Sequence, residues 1–383
     1  MKDFPQSLLE KLNAREENNS LRVLPVLKAE KVDFSSNDYL GFSQSETIFN
    51  LVHNYLIDHK MIQNGATGSR LLSGNHPLYP ITEKYIAEFH EVESALLFNS
   101  GYDANIGFFS SVPQKGDIVL YDEYAHASIR DGIRLSNAQS YKFTHNDLED
   151  LEKKLGKASL GVDRVIYIVT ESVFSMDGDS PDLEGLINLA EKYRALVVID
   201  EAHALGVFGD KGEGLVQFLH LHDRVFARIV TFGKALGCHG AAILGSEKLN
   251  KYLVNFARSF IYTTGLSPHS IATILIGYQY LQAKENKSLH QLKDIILVFR
   301  QEINMLSIRP LFVWSKSAIQ SAILPGNDKV RAAAAILQSK GFDVKAILSP
   351  TVPIGQERLR FCLHCYNSKE EIAEILKELC ELI

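Results

Sequence analysis

Three short apolar runs, each ending in polar groups, limit the architecture of this chain more than any other feature. Arg164-Val-Ile-Tyr-Ile-Val-Thr170 leads into Glu171, Ser172 and Ser175. Leu196-Val-Val-Ile199 leads into Asp200-Glu-Ala-His203, and Arg228-Ile-Val-Thr231 into Phe-Gly-Lys234. Runs that stay apolar without alternating belong to strands buried on both faces, as in parallel sheets covered by helices. In such sheets ligands bind beyond the carboxyl ends of the strands. Glu171, Asp200, His203 and Lys234 are thereby candidates for one crevice. Taken singly, each has a plainer reading. Asp200 and His203 can cap the next turn or helix, and most lysines are solvated surface residues.

Lys234 sits in Thr231-Phe-Gly-Lys-Ala-Leu-Gly-Cys-His-Gly240. Small residues let the backbone turn sharply and approach a ligand. An amine in a weakly solvated turn loses less by being neutral, and a neutral amine can act as nucleophile or base.

Asp200-x-x-His203 followed by Thr231-x-x-Lys234 resembles the fold-type I pyridoxal phosphate enzymes. Three longer stretches narrow the likeness: Gly65-Ala-Thr-Gly-Ser-Arg-Leu-Leu-Ser-Gly-Asn-His76, Tyr124-Ala-His126-Ala-Ser-Ile and Thr170-Glu-Ser-Val-Phe-Ser-Met-Asp-Gly-Asp179. These resemble the α-oxoamine synthases, over about Leu12 to Ile383. The resemblance implies an α/β fold, with a large domain on a mostly parallel sheet flanked by helices and a smaller C-terminal α/β domain. It implies an N-terminal arm over 1–45, a cofactor-binding domain over 46–282 and a small domain over 283–383.

It also implies a chemistry. Pyridoxal 5'-phosphate would be held covalently by Lys234, with His126 stacked on its ring, Asp200 on its ring nitrogen and His203 on its hydroxyl. Ser100, Gly101, Tyr102, Glu171, Ser175, Thr231 and Thr264 would complete the cofactor site, Thr264 across a homodimer interface. Arg22, Asn37 and Arg360 would bind substrate. Lys234, His126, Asp200 and His203 would be catalytic, in a decarboxylative condensation of an amino acid with an acyl thioester on coenzyme A or a carrier protein. The wording of the motifs favours L-alanine and a pimeloyl thioester, the pair used in biotin synthesis. Glycine with acetyl-CoA and serine with a long acyl-CoA stay open. So does a non-catalytic scaffold subunit, against which the joint presence of Lys234, Asp200, His203 and His126 argues.

Other segments read more locally. Ser7–Arg22 has the leucine spacing of an amphipathic helix, ended by Pro25. Ala95–Phe98 is a buried strand turning through Ser100-Gly101 into a helix, whose free N–H groups suit a phosphate. Leu249–Phe260 reads as one helix. Leu359–Cys365 reads as a strand, on which Arg358 and Arg360 share a face. The plainer reading of both arginines is a solvated surface charge; Arg360 matches the carboxylate-binding arginine of the family, with Arg358 as its control. Cys362-Leu-His-Cys365 lacks the further ligands a zinc site needs, so no metal is expected.

With 383 residues, two domains are the starting expectation. The net charge of −6 leaves no basic footprint for nucleic acid. No apolar run reaches membrane-spanning length, and Met1–Glu10 does not read as a signal peptide. Four cysteines make no disulfide framework, so a cytoplasmic location is expected.

Overall fold

A computed structural model describes residues 4–18, 21–22, 24, 31–160 and 164–383. Its strands, in chain order, begin with β1 (Val32–Asp33) in the N-terminal arm. Then come β2 (Ser94–Phe98), β3 (Ile118–Asp122), β4 (Gln139–Phe143), β5 (Ile166–Glu171), β6 (Leu196–Asp200), β7 (Ala227–Thr231) and β8 (Ala241–Gly245). The C-terminal part adds β9 (Ile319–Ile323), β10 (Phe342–Asp343), β11 (Lys345–Ile347) and β12 (Arg358–Cys362).

Strands β2 to β8 form one seven-stranded sheet in the order β2-β8-β7-β6-β5-β3-β4, parallel except for β8. Every residue of β5 is buried. Ile166 and Ile168 point into one hydrophobic cluster and Tyr167 and Val169 into another, as alternation on a doubly covered strand requires. The three apolar runs are therefore adjacent strands, and their polar ends lie side by side: Glu171 pairs in register with Asp200, and Asp200 with Ile229.

Two sheet strands leave little trace in the sequence. β4 lies at the edge with four of its five residues exposed, so Gln139-Ser-Tyr-Lys-Phe143 carries no apolar run. β8 returns antiparallel to β7 straight after the lysine turn. Phe232 N–H donates to Gly240 O at 3.0 Å and Cys238 N–H to Phe232 O at 2.8 Å, closing the loop that carries Lys234. Gly237 in this loop has φ +59°, and a Cβ there would meet Ser43 N at 2.2 Å. Only glycine lets the arm cross the lysine loop this closely.

In the C-terminal part β11, β12 and β9 form an antiparallel sheet with β12 in the centre. The arm is built into it. β1 pairs with β10, Phe34 O accepts from Cys362 N–H at 2.8 Å, and Tyr39 O accepts from Cys365 N–H at 2.9 Å. Buried His364 bonds Asp33 O and Ser36 as well.

Several expectations are corrected. The first helix covers Gln6–Glu17, ends before Arg22 and buries none of its residues, so Leu8, Leu9 and Leu12 stay exposed. Pro25 lies outside the described residues. The helix expected over Leu249–Phe260 is two, Glu247–Phe256 and Arg258–Ile261, because Ala257 turns extended at ψ 102°. Arg358 is no surface charge. One face of β12 packs on the loop after β5, so Arg358 is buried and ion-paired with Asp177.

Candidate active site

The carboxyl ends of β5, β6 and β7 and the N-terminus of helix Gly101–Ser111 enclose a cavity of about 260 Å³. Nine of the expected cofactor residues line it: Ser100, Gly101, Tyr102, His126, Glu171, Asp200, His203, Thr231 and Lys234. Sequence spacing places them there because a parallel sheet sends every strand's carboxyl end to the same edge.

The cavity wall is held by a chain of bonds from uncharged donors. Asp200 Oδ2 accepts from Asn105 Nδ2 at 2.9 Å, and Oδ1 accepts from Ala202 N–H at 2.9 Å. The same Asn105 amide reaches Ser128 Oγ at 3.0 Å, and Ser128 Oγ lies 2.7 Å from His126 Nδ1. His126 N–H donates to Glu171 Oε1 at 2.7 Å. Thus Asp200, Glu171 and His126 are positioned by one another and by two residues that the sequence reading missed. Asn105 could have been found: a buried amide four residues after Gly101 falls on the same helix face. Ser128 could be found only from its closeness to His126.

Charge in the cavity is poised. Burial pulls the Lys234 amine down to about 8, against the opposing pull of Asp200 and Glu171. Burial, with Asp200 beside it, pushes the Glu171 carboxyl well up. Burial and the positive charges of Lys234 and Arg360 keep His203 neutral, well below the usual histidine range. Near neutral pH these shifts place a readily deprotonated amine among groups that can give or take a hydrogen bond.

A second layer lies behind His203. Fully buried Tyr39 has its hydroxyl 2.8 Å from His203 Nδ1 and 3.1 Å from Asn37 Oδ1. Arg360 is buried as well, and its bonded partners are all neutral: Ser175 O at 2.7 Å, Cys362 Sγ at 2.9 Å and Asn37 Oδ1 at 3.0 Å. Asn37 and Arg360 thus stand behind the cavity wall without lining it. Ser175 turns its carbonyl to Arg360 and borders a neighbouring cavity with Arg358. Thr264 is exposed, its carbonyl accepting from Asn99 Nδ2 at 2.7 Å, and Arg22 is exposed on the arm. Neither lines the cavity of the single chain.

The cavity fits an anionic, aromatic cofactor. Thr231 Oγ1, at its wall, is buried without a partner, and so is Asn105 Oδ1. A side chain at Gly101 would meet Thr231 Cγ2 at 2.5 Å, so glycine keeps the space over the helix N-terminus open. The first N–H groups of that helix lack intrahelical partners and favour a phosphate.

The sequence profile of the family described as aminotransferase class I and II matches residues 29–379. The chain belongs to that family, and within it to the α-oxoamine synthases, fold-type I acyltransferases that use pyridoxal 5'-phosphate. Its relatives there include the 8-amino-7-oxononanoate synthase of Emericella nidulans, 40% identical over 97% of this chain and 94% of the relative. A putative 8-amino-7-oxononanoate synthase of Halalkalibacterium halodurans is 35% identical over 97% and 94%. Among solved structures, a Sphingomonas wittichii serine palmitoyltransferase superposes with TM-score 0.86 at 27% identity, covering 98% of this chain and 96% of that one. The 8-amino-7-oxononanoate synthase of Francisella tularensis superposes with TM-score 0.76 at 28% identity, covering 92% and 97%.

Proposed function

We propose that this enzyme condenses L-alanine with a pimeloyl thioester, carried by coenzyme A or a carrier protein, to give 8-amino-7-oxononanoate, carbon dioxide and the free thiol in biotin synthesis. The observation that carries this reading is the placing of Lys234, half-buried at a strand end, in one cavity with Asp200, Glu171, His126 and His203. Relatives named 8-amino-7-oxononanoate synthase, one of them putatively, are 35–40% identical over nearly the whole chain and support this choice of product.

Bound pyridoxal phosphate supplies an electron sink conjugated to the amino acid's α-carbon. The protein's residues do the rest. The N-terminus of helix Gly101–Ser111, with Ser100, Tyr102 and Thr231, would take the phosphate, and His126 would contact the ring. Asp200, fixed by Asn105 and Ala202 N–H, would keep the ring nitrogen protonated, and His203 would bond the ring hydroxyl. Lys234 would hold the cofactor and, as a free amine, would take the proton from the amino acid's α-carbon. Arg360 grips the amino acid carboxylate, because a buried guanidinium bonded only to neutral groups gains most from an anion. The α-carbon would then join the thioester carbonyl as the C–S bond breaks, the thiolate leaving with the proton taken up by Lys234; the carboxylate would leave as carbon dioxide, and a proton from solvent, relayed by Lys234, would replace it on the α-carbon.

The working form is a homodimer. The Gly65–Gly74 loop and the segment around Thr264 are joined by Gly265 N–H to Gly68 O at 3.0 Å, and Leu72 and Tyr262 are exposed on them. This supports an interface where Thr264 serves the partner's cofactor. Arg70 in the loop is paired with Glu83, so its role is architectural. A turn over Ala283–Lys287 between two helices supports a division between cofactor domain and small domain at 282/283, and a helix starting at Glu46 supports one between arm and cofactor domain at 45/46. No helix of the described residues is long and apolar enough to cross a membrane. All four cysteines are unpaired, which supports a cytoplasmic location.

The test is thiol release over a panel of amino acids and acyl thioesters, with visible absorbance monitoring the cofactor. Highest kcat/KM with alanine and a pimeloyl thioester is expected, with some leakage to glycine, since one methyl is worth roughly 1–3 kcal/mol. The superposition on a serine palmitoyltransferase makes serine with a long acyl-CoA the second reading. Faster turnover with that pair, or with glycine and acetyl-CoA, would replace the first.

A further inference from the structure

Tyr39 touches none of the cavity, yet it is fully buried with its hydroxyl between His203 Nδ1 and Asn37 Oδ1. A phenol has one proton to donate. His203 Nδ1 is the nearer candidate at 2.8 Å, and Asn37 Oδ1 the farther at 3.1 Å. Asn37 Oδ1 is already supplied by Arg360, whose Nη2 donates to it at 3.0 Å. His203 is neutral, because burial and two neighbouring cations oppose its protonation, so it carries one ring proton. Tyr39 itself keeps its proton, since burial holds its phenol far above the usual range.

We propose that Tyr39 is a positioning residue that fixes the tautomer of His203. Its proton goes to Nδ1, so the imidazole proton resides on Nε2 and His203 presents a donor to the cavity. Arg360 takes part at a distance. By donating to Asn37 Oδ1 it weakens that oxygen's claim on the Tyr39 proton and favours the shorter contact to His203. The arm residues Asn37 and Tyr39 thereby link the substrate-side guanidinium to the cofactor-side imidazole. What the donor meets in the cavity rests on the reading above; the tautomer itself does not.

The tautomer is measurable by nitrogen-15 shifts of the histidine rings in labelled full-length protein, with the His203 signal assigned by its loss in His203→Gln. In the cofactor-free wild type, His203 is expected to show an unprotonated Nδ1 and a protonated Nε2. Tyr39→Phe is expected to give a mixture of tautomers and roughly tenfold weaker pyridoxal phosphate binding, with the melting temperature little changed. Arg360→Lys, which removes the planar donor to Asn37, is expected to raise the Nδ1-protonated fraction with Tyr39 intact. A wild-type His203 protonated on Nδ1, or shifts that neither variant alters, would overturn the proposal. Should Tyr39→Phe fold poorly, the wild-type and Arg360→Lys spectra decide alone. Failure of the wild type to take up cofactor would overturn the functional reading instead, leaving the tautomer assignment to stand on the cofactor-free spectra.

Discussion

Arg358 and Arg360 lie two residues apart on one face of β12, both buried, and they have opposite fates. Arg358 is spent on Asp177, and its Nε on Gln356 O. Arg360 has a carbonyl, a thiol and an amide for company. The same contrast separates Asp200 from Glu201. Asp200 faces the cavity and is held by neutral amides, whereas Glu201, facing away, is closed off by Arg228 and Val216 N–H. A buried charge that meets its counter-charge is architecture. One held by neutral dipoles keeps most of its field for a ligand.

The contrast predicts where each substitution is felt. The largest effect falls on the open side. Lys234→Ala is expected to lower turnover by at least on the order of 10⁴-fold while the melting curve stays close to wild type. Residual activity near wild type would remove Lys234 from the chemistry. On the closed side, Arg228→Met strands the Glu201 carboxylate and is expected to cost about 3–5 kcal/mol in denaturant unfolding, with turnover per folded molecule retained. A stability change under 1 kcal/mol would show that this pair is not closed.

The two arginines test the idea on one strand. Arg360→Lys is expected to raise the KM for the amino acid and cost about 2–4 kcal/mol, on the order of 10²-fold, in kcat/KM, with stability nearly intact. Arg358→Lys should do the reverse, losing about 1–3 kcal/mol of stability at an unchanged KM. Equal effects on both measurements would erase the distinction.

The smallest effect concerns His145, closed between Asp122 and Asp179 at 2.9 and 2.8 Å. Burial alone would lower its pKa, but the bonds to the two aspartates outweigh it and raise the group to about 9. A pKa raised on folding stabilises fully below the unfolded value near 6.5, and that contribution fades as pH climbs through 9. Melting temperature should therefore fall between pH 6.5 and 9 in the wild type, and less in His145→Gln. Parallel curves for the two proteins would dismiss the clamp.

How much of this was legible beforehand depends on the physics of each element. Fully apolar runs such as Ile166–Val169 announce doubly covered strands, because only burial on both faces tolerates them. From that alone the carboxyl-edge crevice and its residues Glu171, Asp200, His203 and Lys234 follow. The exposed edge strand β4, the break at Ala257 and the bare first helix did not show, since each depends on what lies alongside rather than on local pattern.

What the sequence by itself determined is the chemistry available at the sheet edge: a lysine, two acids and an imidazole at strand ends that parallel pairing must gather. Which charges remain usable was decided by the tertiary structure. By local pattern alone Arg358 and Arg360 read alike, on one face of one strand. Their difference comes from partners 181 residues away in Asp177 and 323 away in Asn37. Hydrogen bonding is short-ranged and directional, so only the packed chain settles which polar group meets a counter-charge and which waits for a ligand.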